Sequence, residues 1–307
     1  MSSRSAASSN PILTNYAQGL SQDLTSALAE FLAPTVPVSA TIGHFKKFND
    51  ADMYQVLATG RAVGGPARRI EFDATDPTYN CKPNALEIAI DDSEMDAAGP
   101  IDPLPLHQAK TAVVVSTATL SHEDQVLTAV KSGVSAVANR GNWSNNDVDP
   151  IDQIDEAIQA ISDTCGRLPN RIALGIGAWR KLRGNANCKK RLTGVKATGF
   201  TLEDFAGALL NPSIEIKVGV MVKNTAKLPA TIKPVNIIGD ECFIFYSSQN
   251  PTTMDASFAK TFRGARGGIT AVGTYRDQQC RSDMLFVDWA VDIQVVATGV
   301  VRRYSIT

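Results

Sequence analysis

Residues 149–182 read Asp149-Pro-Ile-Asp-Gln-Ile-Asp-Glu-Ala-Ile158, then Gln-Ala-Ile-Ser-Asp-Thr-Cys165, Gly166-Arg-Leu-Pro-Asn-Arg-Ile-Ala-Leu174 and Gly-Ile-Gly-Ala-Trp-Arg-Lys-Leu182. The first part carries every signal of an amphipathic helix. Asp149 is an N-cap type, Pro150 fits the first turn, and Asp152 and Asp155 favour the positive end of the helix dipole. Ile151, Ile154, Ile158, Ile161 and Cys165 recur at three-four spacing, so one stripe is wholly apolar, and Gly166 supplies a left-handed stop. The remainder reads as a strand, a turn and a short helix ending near Gly184.

Working downstream, Thr201 and Asp204 form a capping box for a helix that turns Leu202, Phe205 and Leu209 inward and ends at Asn211-Pro212. Ile214, Ile216, Val218, Val220 and Val222 alternate as one strand, and Cys242–Tyr246 reads as another. Leu285, Val287, Trp289, Val291, Ile293 and Val295 make a long alternating strand with Asp288, Asp292 and Gln294 on its other face.

Upstream, Tyr16, Leu20, Leu24, Leu28 and Phe31 predict a helix over 15–32, which Pro34 and Pro37 prevent from continuing. From Val36 to Asp91 short strands alternate with turns. Met53–Thr59 and Arg68–Asp73 flank Gly60, Gly64, Gly65 and Pro66, and Leu86, Ile88 and Ile90 alternate with polar or small residues. This segment reads as a long two-stranded excursion awaiting a partner, since an isolated hairpin is marginal. A proline-rich hinge, Gly99–Pro105, precedes residues 106–138. There Thr111–Thr119 favours strand by propensity, whereas Ser121–Asp124 is a capping-box pattern followed by Val126, Leu127, Val130, Val134 and Val137 at helical spacing. The class is α+β.

Composition excludes several functions. Thirty basic against 31 acidic residues give a net charge of −1, so no global field grips nucleic acid. The longest apolar runs are too short to cross a bilayer, and MSSRSAASSN has no apolar signal core, so neither membrane insertion nor signal-peptide secretion is expected. The Asn142-Trp-Ser144 sequon then carries no weight. Five separated cysteines without a CxxC pair read as reduced, packed thiols rather than a zinc site or disulfide framework.

Catalytic motifs do not emerge either. Gly175-Ile-Gly177-Ala-Trp-Arg180 lacks the third glycine of a dinucleotide loop and reads as a plain strand-to-helix turn. Asp149, Asp152 and Asp155 are accounted for by capping and dipole compensation rather than metal binding. His44, His107 and His122 have no metal-ligand spacing and no neighbouring nucleophile motif. Basic residues cluster at Arg61, Arg68 and Arg69, and at Arg180, Lys181, Arg183, Lys189, Lys190 and Arg191, with only Trp179 near for base stacking. They read as a solvated face or as intersubunit ion pairs. No catalytic residue, cofactor or metal is expected.

The order of elements, with a few phrases, resembles the major capsid proteins of tailed bacteriophages, which share the Hong Kong 97 fold. The phrases are 149–158 with 166–174 and 178–182, then Phe200-Thr-Leu-Glu-Asp-Phe205, and Val38-Ser-Ala-Thr-Ile-Gly-His-Phe-Lys-Lys-Phe48. The resemblance runs from about Tyr16 to the C-terminus. It implies an N-terminal arm (1–43), an extended loop (44–91), a spine helix with the first part of a peripheral domain (92–170), an axial domain (171–284) and a return strand (285–307). The spine helix would fall near 104–135, and helix is therefore expected even over Thr111–Thr119, because packing overrides propensity.

The resemblance further implies a structural protein: a head subunit assembling as hexamers and pentamers into an icosahedral shell around double-stranded DNA. That DNA would be bound without sequence specificity, in a virion assembled in the host cytoplasm. A portal is an implied partner; with no scaffolding segment expected before the arm, scaffolding would be a separate protein or the shell would assemble without one, and decoration proteins are left open. Contacts between subunits are expected at Tyr16, Leu20, Leu24 and Leu28 in the arm, and at Met53, Arg61, Arg68, Arg69, Ile70 and Phe72 in the loop. Shell interfaces of this kind bury more than about 2,000 Å². The covalent crosslink of some relatives is not expected, since Lys82 is the only lysine well inside the loop and no partner is identifiable. Competing readings are an encapsulin-like nanocompartment, a metabolic enzyme with an unrecognised site, and a DNA-binding protein using Arg180–Arg191.

Overall fold

The computed structural model describes residues 8–9, 12–14, 16–17, 27–45, 47–48, 56, 59–61, 64, 69, 74–98, 104–192, 200–226, 231 and 233–307. In chain order its elements begin with β1 (Ser8–Ser9), α1 (Ala29–Leu32), β2 (Thr35–Val38), β3 (Ile42–His44), β4 (Lys47–Phe48), β5 (Ala74–Thr75), β6 (Thr78–Asn80), β7 (Lys82–Asp91) and α2 (Asp92–Ala98). The middle of the chain forms α3 (Leu104–Gly133), α4 (Pro150–Cys165), β8 (Arg171–Gly175), α5 (Ile176–Gly184), α6 (Ala186–Leu192) and α7 (Leu202–Gly207). Then come β9 (Glu215–Gly219), β10 (Val222–Asn224), β11 (Pro234–Asn236), β12 (Glu241–Phe245), β13 (Ala259–Asp277), β14 (Ser282–Val295) and β15 (Val301–Ser305).

Two sheets organise these elements. In one, β13 and β14 form a long antiparallel ladder, β7 pairs with the far side of β14, and β1 and β2 pair with β13. In the other the order is β15-β12-β8-β9, with β8 and β9 parallel. The α4 helix matches its sequence signals. Asp149 accepts the Ile151 N–H at 3.0 Å, Pro150 opens the helix, and Gly166 closes it at φ 62°. Ile151, Ile154, Ile158 and Ile161 are fully buried, each contributing about 1.5–3 kcal/mol. They pack into the main core with β8 and with β12, whose residues Cys242–Phe245 are wholly buried.

The α3 helix joins the two sheets. Val115 shares a buried cluster with Leu285 and Ile90, Ala118 shares another with Trp289 and Val291, and farther along Val126, Leu127 and Val130 enter the main core. Thr111–Thr119 is therefore helical, as the family resemblance implied and propensity did not. Burial of Val114 and Val115 outweighs the β-branched preference, and Thr117 and Thr119 donate their hydroxyls back to the carbonyls of Val113 and Val115 at 2.8 and 2.9 Å.

Several expectations need correction. Helix over 15–32 is not continuous: residues 27–28 are non-helical, and only Ala29–Leu32 follows as helix. Ser121–Asp124 starts no helix of its own and lies inside α3, where Glu123 caps a different chain segment. The strand expected over 214–222 is two, because β9 ends at Gly219 and β10 leaves to pair with β11. Positions 56, 59, 60, 61, 64 and 69 lie in no strand, so the strands expected over 53–59 and 68–73 are not continuous. Finally, β13 was not anticipated. It falls inside the segment assigned to the axial domain, yet pairs with β14, while β15 of the return segment pairs with β12.

Candidate assembly interface

The arm is fixed to the body at its C-terminal end. Glu123 accepts the N–H groups of Leu28 at 2.6 Å and Ala29 at 2.8 Å, supplying the acceptors that the first turn of α1 needs. Arg171 donates to the Phe31 carbonyl at 2.9 Å and lies 5.0 Å from the centre of its ring. Beyond α1, β2 runs parallel to β13 from Thr261 to Gly264, with Pro37 tolerated on an edge strand.

The excursion leaves and returns as two short ladders. Ile42–His44 pairs with Thr78–Asn80, and Lys47–Phe48 with Ala74–Thr75. Its base is anchored by Phe45 and Tyr79, whose rings lie 5.2 and 4.8 Å from that of Phe262. Past the second ladder, Val56 is 100% exposed, and Arg61 and Arg69 are exposed too.

Of the ten residues expected at subunit contacts, Leu20, Leu24, Met53, Arg68, Ile70 and Phe72 lie outside the described residues. Tyr16 is half-buried on a helical stretch. Leu28 is corrected: it is 1% exposed, lies close over Gly219 and belongs to the subunit's own core, so it presents no surface to a neighbour.

The other sequence candidates resolve into local structure. A Cβ on Gly175 would sit 1.7 Å from the Gly239 carbonyl oxygen and one on Gly177 1.8 Å from Asp240 Oδ1, so these glycines serve close packing of the strand-to-helix turn. Asp149 caps α4 and pairs with Arg191 at 3.3 Å, whereas Asp155 accepts the Leu210 N–H at 2.8 Å. In the basic cluster, Lys181 bonds Asp240 at 2.8 Å and Arg183 lies over Trp179, while Arg180, Lys189 and Lys190 are exposed. No group of metal-ligating side chains occurs among the described residues, and no helix there is long and apolar enough to span a membrane. Cys81, Cys165, Cys188 and Cys242 are buried thiols and Cys280 is exposed.

Two polar groups were not legible in the sequence. His122 Nδ1 and Trp289 Nε1 are buried without a hydrogen-bond partner, and both line a cavity beneath α1.

No known family profile and no curated relative matches the sequence. Solved structures do match, over nearly the whole chain. A phage-related protein from Bordetella bronchiseptica RB50 superposes with a TM-score of 0.74 at 20% identity, covering 98% of each chain. The chain has the Hong Kong 97-like capsid fold. The putative capsid protein of a prophage of E. coli CFT073 matches at TM-score 0.56 and 12% identity, over 99% of this chain and 100% of that one. An encapsulin complex from Synechococcus elongatus PCC 7942 matches at 0.55 and 10%, over 92% and 87%.

Proposed function

We propose that this chain is a shell subunit, and specifically the major head protein of a tailed bacteriophage. Copies join as hexamers and pentamers into an icosahedral shell that encloses double-stranded DNA in the virion. The observation that carries the reading is that a capsid protein's fold matches over 99% of the chain, while Val56 in the excursion is fully exposed among the described residues. Arm and loop then lie across neighbours, with contacts at Tyr16, Leu20, Leu24, Met53, Arg61, Arg68, Arg69, Ile70 and Phe72. Symmetry fixes which patch meets which. A net charge of −1 suits a wall that must release its genome. A portal and separate scaffolding or decoration proteins complete the set of partners, and assembly takes place in the host cytoplasm.

A nanocompartment shell is the second reading, favoured by the Synechococcus encapsulin, whose TM-score of 0.55 matches the 0.56 of the prophage capsid protein. Negative-stain microscopy with size-exclusion chromatography tests the shared claim. Closed shells, tubes or rings of subunits support it, and a monomer or dimer that persists at high concentration rejects it. Nuclease-protected DNA inside particles formed during infection selects the phage reading, and a co-purifying enclosed enzyme selects the nanocompartment.

A further inference from the structure

Trp289 is 3% exposed, yet its indole N–H meets no acceptor among the described residues, and His122 Nδ1 is likewise buried and unbonded among them. Both line one half-enclosed cavity of about 230 Å³, together with Glu30, Glu123, Arg263 and Thr270. That volume is several times the ~30 Å³ share of one liquid water.

The cavity lies where β13 loses its register. The β13–β14 ladder is regular from Ala259↔Val295 to Arg263↔Val291 and again from Val272↔Val287 onward. Between these stretches residues 264–271 face only 288–290, with Gly267 opposite Trp289 as the single registered pair. Gly267 has φ +67°, and a Cβ there would fall 2.0 Å from the Asp288 carbonyl oxygen, so glycine is required for the bulge. Such bulges are retained where a strand must re-aim a side chain or stop pairing. Here the bulge falls opposite Trp289.

What is missing can be specified chemically. An indole N–H only donates, so the absent group is an acceptor. Its charge is set by the walls. Two carboxylates, Glu30 and Glu123, face one guanidinium, Arg263, which disfavours a further anion. Burial holds His122 neutral, so its Nδ1 offers a donor or an acceptor according to tautomer. A neutral group that both accepts and donates is a hydroxyl or an amide, and a strand edge recruits the amide of another backbone. The route in is a strand edge. On its outer side β13 pairs with β2 up to Gly264 and with β1 from Gly273, Val272 exchanges backbone bonds with the Thr14 hydroxyl, and among the described residues no strand pairs with 265–271. An unpaired stretch of edge is where another chain's backbone adds.

We infer that this cavity receives an uncharged amide, a main-chain peptide or an Asn or Gln side chain, from a second copy of this chain, with its oxygen on Trp289 Nε1. The inference rests on the shell reading and names one contact that would build the shell.

Trp289→Phe tests it, because the ring stays and only the N–H is lost. In the unassembled subunit the urea midpoint should hold or rise, since an unpaired buried donor is removed. In assembly the critical concentration should rise roughly three- to tenfold, the worth of one net hydrogen bond. Independently of folding yield, the wild-type minus Trp289→Phe ultraviolet resonance Raman spectrum isolates the indole N–H marker band. That band should report a free N–H in the subunit and a bonded one in the shell. A bonded N–H in both states means ordered water fills the cavity and overturns the inference. So does an unbonded one in both, or assembly unaffected by the substitution. Wild-type protein that never assembles overturns the shell reading itself, and this contact with it.

Discussion

Glu123, midway along α3, accepts the backbone N–H of Leu28 at 2.6 Å across 95 residues of sequence, and that of Ala29 at 2.8 Å. A buried acid of one helix thus acts as the N-cap of another. Burial pushes the Glu123 carboxyl up in pKa, and the two N–H bonds pull it back only in part. Glu123→Ala leaves two buried donors unpaired at about 1–3 kcal/mol each. We expect it to cost the unassembled subunit about 2–4 kcal/mol in urea unfolding, and Glu123→Gln, with one acceptor oxygen left, roughly half as much. An alanine variant within about 0.5 kcal/mol of wild type would show that apolar contacts alone hold α1 in place.

His122 gives the subunit a pH dependence whose sign follows from its burial. Burial lowers its pKa, and the nearby Glu30 carboxylate offsets this only partly. The unfolded chain takes up the proton near pH ~6.5, where the folded chain still resists it. The unfolded state therefore binds more protons below that point, and stability falls as the pH drops from ~6.5 until the folded pKa is reached. His122→Leu should flatten this slope below about pH 6.5, measured by urea unfolding at each pH. An unchanged slope would assign the titration to another group.

What the sequence revealed was local, and what it hid was long-range. Asp149, Pro150, the isoleucine stripe and Gly166 all lie in one segment, so α4 could be read with both ends. The Thr201–Asp204 capping box and the alternation along β14 were legible for the same reason. By contrast β13 carries Gly264, Gly267, Gly268 and Gly273, which erase alternation. Those glycines answer to distant partners: Gly273 leaves room for the Phe286 ring, which a Cβ would meet at 2.3 Å. The arm's leucine spacing suggested one helix because nothing nearby shows that Glu123 will cap a new start at Leu28. For the same reason Leu28 was misplaced as a surface contact, and the unbonded state of Trp289 and His122 was invisible, since both are outcomes of tertiary assembly.

Arg303 ties the C-terminal strand to α3. Its Nε and Nη2 donate to the two Glu241 carboxylate oxygens at 2.8 Å, and its Nη1 donates to the carbonyls of Lys131 and Val134 at 2.9 Å. The last carbonyls of a helix have no partner within it, so this fork also serves as the α3 C-cap. Lysine keeps the charge but cannot reproduce the planar fork. Arg303→Lys should therefore destabilise the subunit by about 1.5–3 kcal/mol, read from the urea midpoint. A neutral result would mean that water replaces these bonds without loss.

The thiols provide a test of the core that needs no variant to begin. The chain has five cysteines, of which only Cys280, on the β13–β14 turn, is exposed. The thiolate is the reactive form, and burial pushes Cys188 up to about 12 and raises Cys242 as well. A disulfide reagent such as 5,5′-dithiobis(2-nitrobenzoate) should therefore titrate one thiol per folded, unassembled subunit promptly, and all five in denaturant. Cys280→Ser should abolish the fast phase without moving the urea midpoint by more than about 0.5 kcal/mol, as expected for an exposed position. A second fast thiol in that variant would mean that the core around α4 and α6 opens on the timescale of labelling. The packing of Cys165 and Cys188 described above would then not be the resting state of the subunit in solution.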